Sequence, residues 1–147
     1  MPVPSSSGLR QTSRNTLRIL AAVGACIWAI LIFCVSAIPS EGFPSHPGFL
    51  NYLAHFGEYL IFAVLLTIAA NGPRRALWLT ALIALLIASL YGASDEFHQS
   101  FVVGRHPDPL DWLTDTLGAL LGAIATIWVI SARKVKRSRE KDRKSGL

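Results

Sequence analysis

Two histidines and five carboxylates are the side chains of this sequence best suited to chemistry, and they fall at helical spacings. His55, Glu58 and Tyr59 stand at i, i+3 and i+4 and so share one helix face. Asp111 and Asp115 share a second face, which continues into Gly118 and Gly122. Between these pairs runs Ser94-Asp95-Glu96-Phe97-His98-Gln99-Ser100, where Tyr91, Asp95 and His98 align if the helix carries on through them. Imidazole and carboxylate together suit a divalent metal or general acid–base work. The metal candidates are His55, Glu58, Asp95 and His98. Arg105 is the only base nearby, and its planar fork suits a phosphate or carboxylate held bidentately. Five carboxylates cannot all ionise beside one guanidinium in a partly desolvated chamber. Some must carry a proton, pair with a histidinium or hold a cation. The motifs go no further than that. No His-Glu-x-x-His spacing or cysteine ligand marks a zinc site, nothing completes a triad around Ser94 or Ser100, and no cofactor follows from the sequence.

The elements that position these residues are membrane spans. The chain is 147 residues long, 52% hydrophobic and 16% charged, against about 25% charged in a soluble domain. Four stretches reach the roughly 20 apolar residues that a helix needs to cross hydrocarbon: 17–38, 49–70, 76–93 and 110–131. The second carries His55 and Glu58 and the fourth opens on Asp111 and Asp115, yet helix is the only open form that can span. Short loops then predict an all-α, four-transmembrane-helix antiparallel bundle. Gly118 and Gly122, with Ala119 and Ala123 beside them, form a helix-packing face that takes both aspartates inward. Glu58 lies about two turns below the surface, a depth at which an ionisable group faces the interior or a wet cavity.

Charge sets the expected orientation. Thirteen of the fourteen Lys and Arg lie on one side of the spans: Arg10, Arg14 and Arg18 in the first arm, Arg74 and Arg75 in the second loop, and eight from Arg133 to Lys144. The first and third loops carry Glu41, Asp95, Glu96 and Asp108 against Arg105 alone. The positive-inside rule places both termini in the cytoplasm and the acid-rich loops outside. Residues 1–16 read as a disordered basic arm, 17–131 as the membrane domain and 132–147 as a basic cytoplasmic tail. With no aromatic interleaving or surrounding fold, the tail suits anionic headgroups better than nucleic acid. The first segment is long for a cleaved leader and reads as a retained helix. Cys26 and Cys34, eight apart on one helix and so about 12 Å apart, cannot bridge each other.

The run His55-Phe56-x-x-Tyr59, then Asp95-Glu96-Phe97-His98-Gln99-x-Phe101-Val102-x-Gly104-Arg105, then Asp111-x-x-x-Asp115-x-x-Gly118-x-x-x-Gly122 resembles the VanZ-like family of small bacterial membrane proteins, in order and spacing, over about residues 50–125. Asn51 and Tyr52 stand where that family commonly has Asp-Lys, Val103 where it usually has proline, and Asp115 where it usually has asparagine. The resemblance implies a multi-pass protein of the bacterial plasma membrane. The founding member is associated with reduced susceptibility to the glycopeptide teicoplanin, and the family has no agreed reaction.

Three functions compete, and a fourth, ion or proton transport, lacks an ionisable relay in the inner halves of the helices to complete a path. The first is a cell-envelope protein whose outward chamber binds an envelope lipid, a cell-wall precursor or a lipophilic glycopeptide. Its recognition set is His55, Glu58, Tyr59, Asp95, Glu96, His98, Gln99, Arg105, Asp111 and Asp115. The second is a membrane-embedded enzyme that uses a metal or acid–base pair on a lipid-linked substrate. In the third, the polar network is purely structural and fixes helix register, although interhelical polar contacts average only about 0.6 kcal/mol.

Overall fold

The computed structural model describes residues 6–39, 48–72 and 75–146. Glu41, His46 and Arg74 lie outside them. The described chain is four helices, α1 (Ser6–Ser36), α2 (Gly48–Ala70), α3 (Leu77–Gln99) and α4 (Pro109–Ser145), with no strand among these residues. All four are long and apolar enough to cross a bilayer. At 1.5 Å per residue the 23 residues of α2 or α3 reach about 34 Å, against a hydrocarbon thickness near 30 Å.

Three boundaries differ from the sequence reading, each because a helix continues past its apolar stretch. α1 begins at Ser6, so the described part of the expected disordered arm is helical. Once a helix is nucleated each further residue adds a bond at little cost, and Thr12 and Thr16 return their hydroxyls to the carbonyls of Gly8 and Thr12. α3 runs on from residue 93 to Gln99, which turns Asp95, Glu96 and Gln99 into the bundle. α4 carries the basic tail as one continuous helix to Ser145, with an i,i+4 ion pair between Glu140 and Lys144 at 3.5 Å.

The interior is made of small residues and the outside of large ones. Buried positions include Ala21, Ala25, Ala63, Ala84, Ala88, Ala119 and Ala123, while Leu20, Ile30, Leu86, Leu90, Leu121 and Trp128 are exposed. In water such an exterior would aggregate; facing lipid it costs nothing, and small interior residues let backbones close up. Thr67, Thr80 and Thr126 are buried by bonding their hydroxyls to the carbonyls of Ala63, Ala76 and Gly122.

Pairing patterns give the directions. Arg18 reaches Ala69 and Trp28 reaches Glu58, so residue numbers on α1 rise as those on α2 fall and the two are antiparallel. Ser89 meets Thr116 while Gly92 faces Asp115, which makes α3 and α4 antiparallel. The most extensive contact, α2 on α4, is instead parallel: Asn51 pairs with Asp111, His55 with Asp115, Phe56 with Gly118 and Leu60 with Gly122. Sequence neighbours alternate as expected, but the central pair of the bundle runs the same way.

Candidate functional site

The polar residues gather at the end of the bundle where α1 and α3 finish and α2 and α4 start. Two glycines fix the approach there. A Cβ on Gly118 would collide with the Phe56 carbonyl oxygen, and one on Gly122 with that of Leu60. Only glycine at both positions lets α4 lie directly on the α2 backbone. One turn toward the starts of α2 and α4, this contact delivers Asp115 to His55, with Nδ1 2.9 Å from Oδ1. The next turn brings Asn51, whose amide donates to both Asp111 oxygens at 3.0 and 3.1 Å, and Asp111 Oδ2 lies 3.8 Å from His55 Nε2. His55 is thus held between two aspartates of one face, with Asp115 fully buried.

α3 contributes a second layer. Gln99 Nε2 donates to Asp95 Oδ2 at 3.1 Å and lies 3.4 Å from Glu96 Oε1, while the Ser36 hydroxyl of α1 donates to Asp95 Oδ1. Glu96 Oε2 accepts from the Asp108 backbone N–H at 2.8 Å. Asp108 caps α4, its side chain accepting from Leu110 N at 2.9 Å ahead of Pro109 in the first turn. The Tyr52 hydroxyl donates to the same carboxylate at 3.3 Å. Asp95, Glu96, Gln99, Asp111 and Asp115 are all buried.

Arg105 serves the loop. The chain leaves α3 through successive turns, and Gly104 takes a left-handed φ of 74°, a conformation that favours glycine and turns Arg105 back toward α1. Its guanidinium donates to the carbonyls of Ile38 (3.2 Å) and Val35 (3.4 Å) and to Gln99 Oε1 (3.4 Å). Arg105 therefore ties the loop to carbonyls at the end of α1, and through Gln99 to Asp95 and Glu96.

The remaining expected site residues lie around this centre. Glu58 is half-buried one turn below His55, its backbone carbonyl taking the Trp28 indole N–H at 2.9 Å. Tyr59 is fully buried against Phe62 and Tyr91, and its hydroxyl has no partner among the described residues. His98 turns away from the carboxylates and stacks on Phe33 of α1, with ring centroids 4.3 Å apart. Of the four metal candidates read from the sequence, only His55 has a ligand atom that converges with those of other acids. Its companions are Glu96 and Asp115, with all three ligand atoms within 4.8 Å of one another; Glu58, Asp95 and His98 are not in that group. Asn51, Ser36 and Asp108 are participants that the sequence reading did not select. Asn51 was discoverable, four residues before His55 on its face, whereas nothing local marks Ser36 as a partner of Asp95.

The VanZ/LLP1 family model matches residues 21–130, about three quarters of the chain. The chain belongs to the VanZ/LLP1 family. The match takes in most of the apolar part of all four helices and every site residue, and leaves out the first turns of α1 and the basic extension of α4. Nothing among the curated proteins or the solved structures matches the chain. Family and helices together describe a multi-pass VanZ/LLP1 membrane protein whose polar residues converge at one end of a thin bundle.

Proposed function

We propose that this VanZ/LLP1 protein sits in the bacterial plasma membrane with both termini in the cytoplasm, and that its acid-rich end faces outward and binds the polar head of an envelope amphiphile. The ligand class is an envelope lipid, a lipid-linked cell-wall precursor or a lipophilic glycopeptide. The orientation is supported by the basic residues of the first arm, second loop and tail, opposite the end of the bundle that carries Asp95, Glu96 and Asp108. The observation that carries the binding reading is the rim of the site. Asn51 is exposed, Tyr52 and Asp108 are half-buried, and large exposed apolar groups flank them: Phe49, Leu53, Leu110 and Trp112. Carboxylate, amide and phenol groups beside a lipid-facing apolar belt suit a ligand with hydroxyls or amines on its head and chains in the bilayer. Arg105, spent on protein carbonyls, contributes by holding the third loop. In this reading the buried layer of Asp95, Glu96, Gln99 and Asp115 supports the rim.

The second reading, an enzyme acting on a lipid-linked substrate, draws on the paired His55 and Asp115, an arrangement that can orient an imidazole for proton transfer. Native mass spectrometry of the protein released from bacterial membranes distinguishes the two. Headgroup binding predicts a retained amino- or sugar-bearing amphiphile, lost on Asn51→Ala combined with Tyr52→Phe. Chemical alteration of an added polyprenyl-diphosphate-linked sugar would favour the enzyme. Release with no retained amphiphile, the same for wild type and the double variant, would refute the binding reading.

A further inference from the structure

We propose that the chain binds one divalent cation of the zinc or manganese class between α2, α3 and α4, on His55, Glu96 and Asp115. One residue comes from each helix, all are buried, and a ligand atom of each lies within 4.8 Å of the other two. Bonds near 2.1 Å place tetrahedral ligands about 3.4 Å apart, so side-chain rotations of about an ångström close the set around an ion.

The pointer to a missing ligand is Asp115. It is 0% exposed, one oxygen meets His55 Nδ1, and the other, Oδ2, has no hydrogen-bond partner among the described residues. That oxygen faces α3 at Gly92, where an added Cβ would stand 3.0 Å from it. Gly92 lies one turn before Glu96 on the same helix face. A buried carboxylate oxygen with no donor is among the costlier features a fold can carry, and a cation removes the cost.

The surrounding bonds orient the ligands as an outer shell would. Glu96 is fixed by the Asp108 N–H at 2.8 Å and approached by Gln99 Nε2 at 3.4 Å. Asp111, itself held by Asn51, is the next acid, 3.8 Å from His55 Nε2. The donor set selects the metal. Magnesium and calcium take oxygen ligands, and an imidazole with two carboxylates and no thiolate suits zinc or manganese. The ion would also answer the charge problem, because Glu58, Asp95 and Asp111 surround the site as well. The inference is separate from headgroup binding, since it concerns the ion alone.

The test uses full-length protein in detergent, stripped with chelator and dialysed against Zn2+, Mn2+, Mg2+ or Ca2+, with bound metal measured by elemental analysis. One equivalent of Zn2+ or Mn2+ per chain is expected, in preference to Mg2+ and Ca2+. Glu96→Gln and Asp115→Asn should each weaken binding by at least tenfold, the scale seen when metal-site residues are altered. Asp142→Asn, on the exposed end of α4, should leave it unchanged. Gel filtration and circular dichroism establish that each variant is folded, and Glu96→Gln keeps an acceptor for the Asp108 N–H should Asp115→Asn fail to fold. Binding below one equivalent, equal losses in Glu96→Gln and Asp142→Asn, or Ca2+ bound as tightly as Zn2+ would each overturn the proposal.

Discussion

Gly118→Ala is the change that tests most of this architecture at once. The new methyl would sit well inside 3.0 Å of the Phe56 carbonyl oxygen, with Phe56 C at 3.0 Å and Cα at 3.1 Å behind it. Backbone cannot swing aside as a side chain can, so α2 and α4 must separate by about an ångström. Overpacking of a closed contact costs about 1–3 kcal/mol. The same movement lengthens the 2.9 Å contact between His55 and Asp115, one residue from Phe56 and three from Gly118, beyond hydrogen-bond range. Losing an interhelical bond of this kind adds about 0.6 kcal/mol. The expected loss is therefore about 2–4 kcal/mol, measured by denaturant titration of the protein in mixed micelles. Gly57→Ala is the matched control, because a Cβ at Gly57 meets nothing within 4 Å. There alanine should be neutral or stabilising by up to about 1 kcal/mol through helix propensity. If Gly118→Ala is no more destabilising than Gly57→Ala, the parallel α2–α4 contact is wrong and the site built on it goes too.

Three other outcomes follow from the same geometry. Gly92→Ala places a methyl 3.0 Å from Asp115 Oδ2 and 3.3 Å from the Tyr59 ring, and should cost about 1–3 kcal/mol in the same titration; a neutral result would mean that α3 does not close over Asp115 there. Arg105→Lys removes the planar fork that reaches both Val35 and Ile38, so hydrogen exchange should quicken over residues 100–108, and unchanged protection would deny the residue its anchoring role. In a background with Cys26 and Cys34 replaced by serine, Pro107→Cys should react with an impermeant maleimide added to intact cells and Asn71→Cys should not; the reverse pattern would invert the proposed orientation.

Much of this was legible in the sequence because the membrane simplifies the problem. Four apolar runs of spanning length admit one kind of secondary structure, so helix number and type follow from Leu17 to Ser131 almost without regard to propensity. The Gly118/Gly122 spacing likewise announced a packing face that carries Asp111 and Asp115, and the structure shows that face against α2. Which residues meet across helices was harder to read, since helical spacing fixes a face without fixing its partner. Asp95 and Glu96 are adjacent in sequence and point to different neighbours, Asp95 to Ser36 on α1 and Glu96 to the cap of α4. His98 looked equivalent to His55 by composition, yet lies far enough round α3 to stack on Phe33. The ends of α1, α3 and α4 were misplaced for another reason: hydropathy marks where a helix leaves the hydrocarbon, whereas the helix ends only where its hydrogen bonding does.

The parallel pairing of α2 and α4 explains why this cluster can exist at all. Parallel neighbours present both helix N-termini at the same end, and there the open N–H groups of the first turns make carboxylates easier to accommodate. Asp108 uses this directly as the cap of α4, and Asp111 lies in the first turn of the same helix. An antiparallel partner would have set the C-terminal carbonyls of α2 beside them. α1 and α3 do bring such carbonyl ends to this mouth, and at the end of α1 Arg105 occupies the carbonyls of Val35 and Ile38. The division of labour follows from topology. Asp108, Asp111 and Asp115 lie on the α2–α4 side, where the two N-termini are, whereas Asp95 and Glu96 come from the last turns of α3. The arginine takes a carbonyl end, so its guanidinium is committed away from the His55–Asp115 pair. Asp115, two turns into α4 and beyond the reach of those N-termini, is the acid this arrangement serves least, and it is there that an oxygen is left without a donor.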